Sequence, residues 1–168
     1  MGSLVAVKLA LNHPTLVSKL ILMGPPPQPA SRGSYSRAAL VRKHGMLSVV
    51  DTIVQAGTSA HVQLNKPLSI AAVRTSLLSQ DAEGYAKACA ALAGSAADAM
   101  DVRSLQMPVS FVTGAEDKVS LPALCHQYPE ETGGGHVEVL NDVGHWHLFE
   151  DVEGAVKAVL AQIQQFIC

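Results

Sequence analysis

Two side chains, Asp117 and His145, have the types and placement that acid–base chemistry requires. Asp117 stands just after the apolar run Val109–Gly114, and His145 follows Gly144 shortly after the run His136–Leu140. A carboxylate can accept a hydrogen bond from imidazole Nδ1–H, which fixes the tautomer and stabilises the imidazolium. A histidine held in this way can act as general base and then as general acid near neutral pH. The pair therefore predicts a general acid–base site.

Other roles for the same residues stay open at this point. Asp117 could cap a turn instead, and His145 could be a loop histidine that is hydrogen-bonded to the backbone. His145 and His147, at alternate positions, could also be two ligands of a metal, with His126 or His136 as a third. No carboxylate or cysteine stands at ligand spacing beside them. We therefore predict no metal site and no cofactor.

Short apolar runs indicate the strands of a parallel sheet. The three runs are Lys19–Met23, Val109–Gly114 and His136–Leu140. The first is a continuous apolar run after its lysine, as in strands that are buried on both faces, and we interpret the other two in the same way. Ser3–Leu11 has apolar residues at helical spacing, so we expect a helix there that ends before Pro14. Strands separated by helical stretches indicate parallel βα units, and the predicted fold class is α/β.

The segment between the first two strands, about 28–104, has no strand signal. A simple crossover needs only about a dozen residues and one helix, so we interpret this segment as a helical cap over the strand ends. Its helical stretches are Ala38–His44, Leu47–Ala56, Ile70–Ser79 and Tyr85–Leu92. The tail, Phe149–Phe166, predicts one final helix. One side of that helix carries Val152, Val156, Val159, Ile163 and Phe166.

Basic residues within the cap segment could have either of two roles. They are Arg37, Arg42, Lys43 and Arg74. They could orient an anionic substrate, or they could form a solvated helix face. We expect the solvated face, since charged side chains are mostly exposed to water.

Composition indicates one domain, residues 1–168, in a reducing compartment. The 48% of hydrophobic residues and 15% of charged residues indicate a large aliphatic core and a surface with few charged side chains. A net charge of −2 gives no electrostatic reason to bind nucleic acid, and no apolar run is long enough to span a membrane. Three cysteines without a CxxC spacing argue against a disulfide framework. We therefore expect a cytoplasmic location.

The order of these candidates resembles the α/β-hydrolase family. Gly114-x-x-Asp117 after a strand, then Val143-Gly144-His145 after the next, is similar to the acid and base of that family. Met1-Gly2 before the first helix resembles the two residues that follow the nucleophile in its Gly-x-nucleophile-x-Gly turn. Among subfamilies, the resemblance is closest to small-molecule hydrolases of the 3-oxoadipate enol-lactonase and carboxylesterase type.

This resemblance implies an incomplete α/β-hydrolase fold, with three parallel strands, flanking helices and an inserted helical cap. It also implies that the intact form hydrolyses a small ester or lactone through a Ser-His-Asp triad. In that triad His145 is the base and acid, and Asp117 orients it. The resemblance favours Ser as the nucleophile and leaves Asp as the alternative, because relatives that use Asp commonly have Trp at the next position, where this chain has Met1.

The nucleophile itself does not occur in the sequence, which contains no Gly-x-Ser-x-Gly. Ser95 has glycine before it, but it has neither a preceding strand nor a second glycine. Met1 would supply the second N–H of the oxyanion hole, yet as the first residue it carries an α-amine. We therefore expect the isolated chain to be inactive. The alternative is a non-catalytic fragment or interaction module that pairs with another chain, or with its own copy, through an exposed strand edge.

Overall fold

A small parallel sheet lies at the centre of the fold. The computed structural model describes residues 1–25, 33–95, 102–132 and 135–165. The strands are β1 (Leu20–Met23), β2 (Val109–Gly114) and β3 (Val137–Leu140). They are parallel and adjacent in the order β1-β2-β3, with Leu22 opposite Phe111 and Phe111 opposite Val137. The predicted strands and their parallel arrangement are confirmed. Burial on both faces holds only for β2, because β1 is buried at alternate residues and β3 is buried at Leu140 alone.

The first helix covers one face of the sheet. This helix, α1 (Gly2–Asn12), matches the predicted helix and ends where the His13 N–H donates to the carbonyl of Leu9. Its buried side chains pack with Leu22 and Phe111, which point to the same face of the sheet. The buried side chains of α1 are Leu4, Val7 and Ala10.

The tail covers the opposite face as two helices, α9 (His147–Glu150) and α10 (Val152–Gln165), with a break at Asp151. The prediction of one continuous helix is therefore wrong. Small residues of α10, Ala155 and Ala158, pack against Val112 and Leu140, because a short side chain lets a helix approach a sheet closely. The predicted apolar side is exposed at Val152, Val156 and Ile163, and Phe166 lies outside the described residues.

Helices fill the described part of the segment between β1 and β2. They are α2 (Gly33–His44), α3 (Val50–Gly57), α4 (Ala60–Asn65), α5 (Pro67–Leu78) and α6 (Ala82–Gly94). We call residues 33–95 the helical insert; residues 26–32 and 96–101, at its ends, lie outside the described part. The insert has an apolar cluster of its own, built from Val41, Val50, Val54, Val73 and Leu77. The sequence predicted all of these helices except α4.

Short elements complete the chain. Two helices, α7 (Pro122–Cys125) and α8 (Tyr128–Glu131), lie between β2 and β3. Short 3₁₀ segments lie at Pro14–Leu16, Met46–Ser48 and Val102–Ser104. Cys89 and Cys125 are free and buried, and Cys168 lies outside the described residues. Within the described ranges, no helix combines the length and the apolar character that crossing a bilayer would require.

Candidate active site

Asp117 is held in a tight turn directly after β2. One carboxylate oxygen, Oδ1, accepts the backbone N–H groups of Val119 at 2.8 Å and Ser120 at 2.7 Å. The residue is only 1% exposed. Because Oδ1 is fixed by the turn, Oδ2 is left free to contact a group outside it.

His145 supplies that contact from the loop after β3. Its Nδ1 lies 2.9 Å from Oδ2 of Asp117, and the imidazole is 31% exposed. A neutral imidazole that donates from Nδ1 carries its free lone pair on Nε2. Within the described residues, Nε2 has no hydrogen-bonding side chain. The two predicted residues are therefore in contact, and Nε2 is available to accept a proton.

A second imidazole, that of His147, approaches the same carboxylate oxygen. Its Nε2 lies 3.5 Å from Oδ2 of Asp117, at the outer limit of a hydrogen bond, and its side chain is buried. The rings of His145 and His147 meet edge to face, with their centroids 5.9 Å apart. The sequence singled out His147 only as a metal ligand. The sequence offered one indication of its contact with Asp117, namely that His147 stands two residues after His145.

The ionisation of Asp117 reflects these contacts. Burial acts to raise the pKa of the carboxyl group, because the charged form loses its water. Hydrogen bonds from His145 and His147, the positive charge that His145 can carry and the N–H of Ser120 act in the opposite direction. They outweigh burial, so the pKa of Asp117 is held well below its usual value. Asp117 is therefore a carboxylate at neutral pH.

Gly114 allows the turn that holds Asp117 to touch the loop that holds His145. A Cβ atom on Gly114, the last residue of β2, would overlap the carbonyl oxygens of Val143 and Gly144. The N–H of Glu116, next to Asp117, donates to the Val143 carbonyl at 2.9 Å. Only a residue without a side chain permits this backbone contact.

His145 lines a cavity between the sheet and the helical insert, with a volume of about 540 Å³. Trp146 also lines it, and so does Met1, which the sequence analysis proposed for the oxyanion hole. The insert contributes an aliphatic wall made of Leu40, Val49, Ile53, Ala56, Leu77 and Leu92. A ligand here would place apolar groups against the insert and a reacting group near His145.

The basic residues of the insert have different surroundings. Arg42 pairs with Glu83 at 2.8 Å, and Arg74 pairs with Asp51 at 2.8 Å, all on the surface. These arginines form the solvated face that we expected. Arg37, in contrast, lines the cavity.

The structure does not assemble the other candidates into a site. Within the described residues, no group of three or more side chains is arranged to hold a metal ion, and His136 pairs instead with Glu138 at 3.2 Å. Ser95 donates its hydroxyl to the carbonyl of Leu92 at 2.6 Å. Burial, helped by the negative charge of Asp117, raises the pKa of Cys125 to about 11. That thiol therefore stays protonated and is a poor nucleophile.

Solved structures share this fold, although the sequence matches no protein-family model and no curated protein sequence. A thermophilic esterase from Thermogutta terrifontis is 22% identical, with a TM-score of 0.89 over 98% of this chain and 62% of its own. The enol-lactonase from Burkholderia xenovorans is 23% identical, with a TM-score of 0.86 over 98% of this chain and 63% of its own. An α/β-hydrolase enzyme from a deep-sea metagenome library of the Medee basin is 13% identical, with a TM-score of 0.77 over 97% of this chain and 62% of its own.

These likenesses identify the fold as the α/β-hydrolase fold. The chain spans about 62% of the length of the esterase that it superimposes on. It therefore contains part of that architecture, namely three parallel strands, their flanking helices and the helical insert. The predicted fold class, an incomplete α/β-hydrolase fold, is confirmed.

Proposed function

We propose that this chain carries the acid and the base of an α/β-hydrolase that cleaves a small ester or lactone. The observation that carries the proposal is the 2.9 Å contact between His145 Nδ1 and Asp117 Oδ2 beside a cavity that His145 lines. The low pKa of Asp117 supports the assignment, because a permanent carboxylate stabilises an imidazolium beside it. In the proposed intact form, a Ser hydroxyl is the nucleophile.

The proposed reaction has two halves. In the first, Nε2 of His145 takes the proton of the Ser hydroxyl while its oxygen attacks the ester carbonyl. The imidazolium then gives that proton to the leaving alkoxide, and an acyl-enzyme remains. In the second, His145 takes a proton from water, hydroxide attacks the acyl carbon, and the proton returns to the Ser oxygen. Asp117 stays ionised throughout and holds the imidazole.

The nucleophile is proposed to precede Met1, in the turn that leads into α1. Met1 lines the same cavity as His145, which supports a nucleophile close to this position. The absence of a hydroxyl hydrogen-bonded to His145 Nε2 among the described residues also supports it. The N–H of Met1 would then serve as an oxyanion donor once an acyl group precedes it. On this proposal the isolated chain is inactive.

The aliphatic wall of the cavity supports a substrate with an apolar body. Two proteins with this fold are an esterase and an enol-lactonase, so ester and lactone are the classes to test. We propose neither a nucleic-acid partner nor a membrane partner. Free thiols at Cys89 and Cys125 support the cytoplasm as its location.

The first test is hydrolysis of p-nitrophenyl butyrate by the purified chain, measured beside its His145→Ala variant. We expect no turnover above that of the variant, because no nucleophile is in place. Turnover that depends on His145 would contradict this part of the proposal, since it would require a nucleophile within these residues.

A second candidate function is that of an interaction module. The N–H groups of Leu20 and Gly24 donate to carbonyls of Pro108 and Val112, beside β2, so the N–H of Ile21 between them faces the other edge of β1. Within the described residues, no strand pairs with that edge. Free strand edges pair readily with other chains. This supports association with a second chain, including a second copy.

A further inference from the structure

A buried carboxylate that takes no part in the proposed chemistry lies beside the histidine loop. Glu150, in α9, is 2% exposed. Its Oε2 accepts the backbone N–H groups of Ser59 at 2.8 Å and Gly144 at 2.9 Å, and its Oε1 accepts the N–H of Trp146 at 2.9 Å. Burying a charge is costly unless it is hydrogen-bonded in this way. The side chain therefore serves to hold these backbone segments together.

The residues that Glu150 holds are the two neighbours of His145. The N–H groups of Gly144 and Trp146 both point to its carboxylate, and the N–H of His145 between them donates to the carbonyl of Gly57 at 2.7 Å. Three consecutive peptide N–H groups are thus fixed by partners outside the loop. The His145 side chain is attached to this backbone. Fixing these peptide groups therefore also fixes where the imidazole lies relative to Asp117.

The segment Gly57–Ala60 joins this arrangement to the helical insert. Besides its bonds to His145 and Glu150, it binds the loops after both β2 and β3. The Ser59 hydroxyl donates to the carbonyl of Asp142 at 2.6 Å, and the Ala60 N–H donates to Oε2 of Glu116 at 2.9 Å. Gly57 itself lines the cavity. One short segment therefore connects the cavity wall to the loops that carry Asp117 and His145.

We propose that Glu150 is a positioning residue for His145. It holds the peptides on both sides of the histidine against the segment Gly57–Ala60, and so keeps Nδ1 within hydrogen-bonding distance of Asp117. The proposal rests on the function proposed above, since it concerns the base of the same site. Glu150 acts through the backbone and does not touch the reacting atoms.

The test is the ¹H NMR resonance of the Nδ1 proton of His145, recorded on the 168-residue chain with labelled histidine. A proton held between imidazole and carboxylate resonates downfield of an ordinary imidazole N–H and exchanges slowly enough to be seen. In Glu150→Gln, an amide nitrogen replaces one accepting oxygen at nearly the same volume. We expect the resonance to be lost or to move upfield, while circular dichroism shows a folded chain.

Glu153→Gln is the matched control, because Glu153 lies one turn away on α10 with a side chain that is 82% exposed. We expect its spectrum to match that of the wild type. If Glu150→Gln does not fold, Glu150→Asp decides, because it keeps the carboxylate but shortens the side chain by one methylene, so that it cannot reach all three N–H groups. An upfield shift of the His145 resonance in that variant supports the proposal.

The outcomes separate the two proposals. An absent resonance in the wild type would mean that the Asp117–His145 bond does not persist in solution. This result would contradict the proposed function, and the positioning role that rests on it would fall with it. A resonance that is present in the wild type and unchanged in folded Glu150→Gln would overturn the positioning role alone. An unchanged resonance in folded Glu150→Asp, where Glu150→Gln is unfolded, would overturn it as well.

Discussion

The Nδ1 atom of His145 and the Oδ2 atom of Asp117 lie 2.9 Å apart, although the residues are separated by 28 positions in the chain. Their contact follows from the sheet. Each residue comes from the loop after a strand, and β2 and β3 are parallel neighbours, so both loops start at the same edge. The Asp117 turn fixes one oxygen of the carboxylate and directs the other to the histidine.

The low pKa of Asp117 makes the stability of the chain depend on pH. The folded-state pKa lies below the unfolded value of about 3.9, so the unfolded chain binds the proton more tightly. The stabilisation is complete above about pH 5 and is lost as the pH falls toward the folded-state pKa. We expect Asp117→Asn to lower the free energy of unfolding by about 1–3 kcal/mol at pH 7. Urea unfolding of both proteins should show this difference shrinking between pH 7 and pH 3.5.

Asp51→Asn is the control for that titration. Its carboxylate is 75% exposed and pairs with Arg74, so its removal should change stability little at any pH. Parallel pH curves for wild type and Asp117→Asn would show that the Asp117 carboxylate has the same proton affinity in both states.

Gly114 is expected to tolerate no side chain. In Gly114→Ala, the new Cβ would overlap the Val143 carbonyl, and the turn that holds Asp117 would have to move away from the loop that holds His145. We expect a loss of about 1–3 kcal/mol or more, measured by thermal unfolding. Gly2→Ala is the matched control, because no atom lies within 4 Å of the Cβ that it would add. Equal melting temperatures for the two variants would contradict the close approach.

The only tryptophan of the chain, Trp146, lies in the cavity wall and can report binding. We expect sodium octanoate, the carboxylate product of an aliphatic ester, to change Trp146 fluorescence with a saturable dependence on concentration. Ala56→Phe, which adds a ring to the aliphatic wall, should weaken this binding at least tenfold. Ala71→Phe places the same ring on an exposed position of α5 outside the wall and should leave it unchanged. Equal affinities in both variants would contradict binding in this cavity.

The free edge of β1 predicts self-association of the isolated chain. We expect sedimentation velocity to show a larger species as the protein concentration rises. Ile21→Pro removes the N–H that faces the free edge, whereas Ile21→Ala keeps it and loses a comparable part of the side chain. The proline variant should therefore associate less than the alanine variant. Identical behaviour of the two would exclude the β1 edge as the contact.

Apolar runs carried enough information to predict the sheet. Val109–Gly114 could be placed as a buried strand because a strand covered on both faces has no polar alternation. Asp117 and His145 could be selected because each follows such a run. The helix α4 was missed, since its six residues make too short a window for helical periodicity.

Long-range contacts could not be predicted from local patterns. Nothing in the local sequence distinguishes Glu150 from the other acidic residues of the tail. Only the fold brings it to Ser59, 91 positions away. The buried side of α10 was also unpredictable from hydrophobicity. It includes Ala155, Ala158 and the polar Gln162, while the apolar residues Val156 and Leu160 are exposed. At Ala155 and Ala158, where α10 packs against Val112 and Leu140, a short side chain lets the helix lie close to the sheet.

The most direct test of the central claim uses a longer protein, in which a strand ending in Gly-x-Ser precedes Met1. The measurement is kcat for p-nitrophenyl butyrate, with and without the change His145→Ala. If His145 is the general base, the variant loses several orders of magnitude in kcat. Near-normal turnover in the folded variant would contradict the assignment of Asp117 and His145 as the acid and base of a hydrolase.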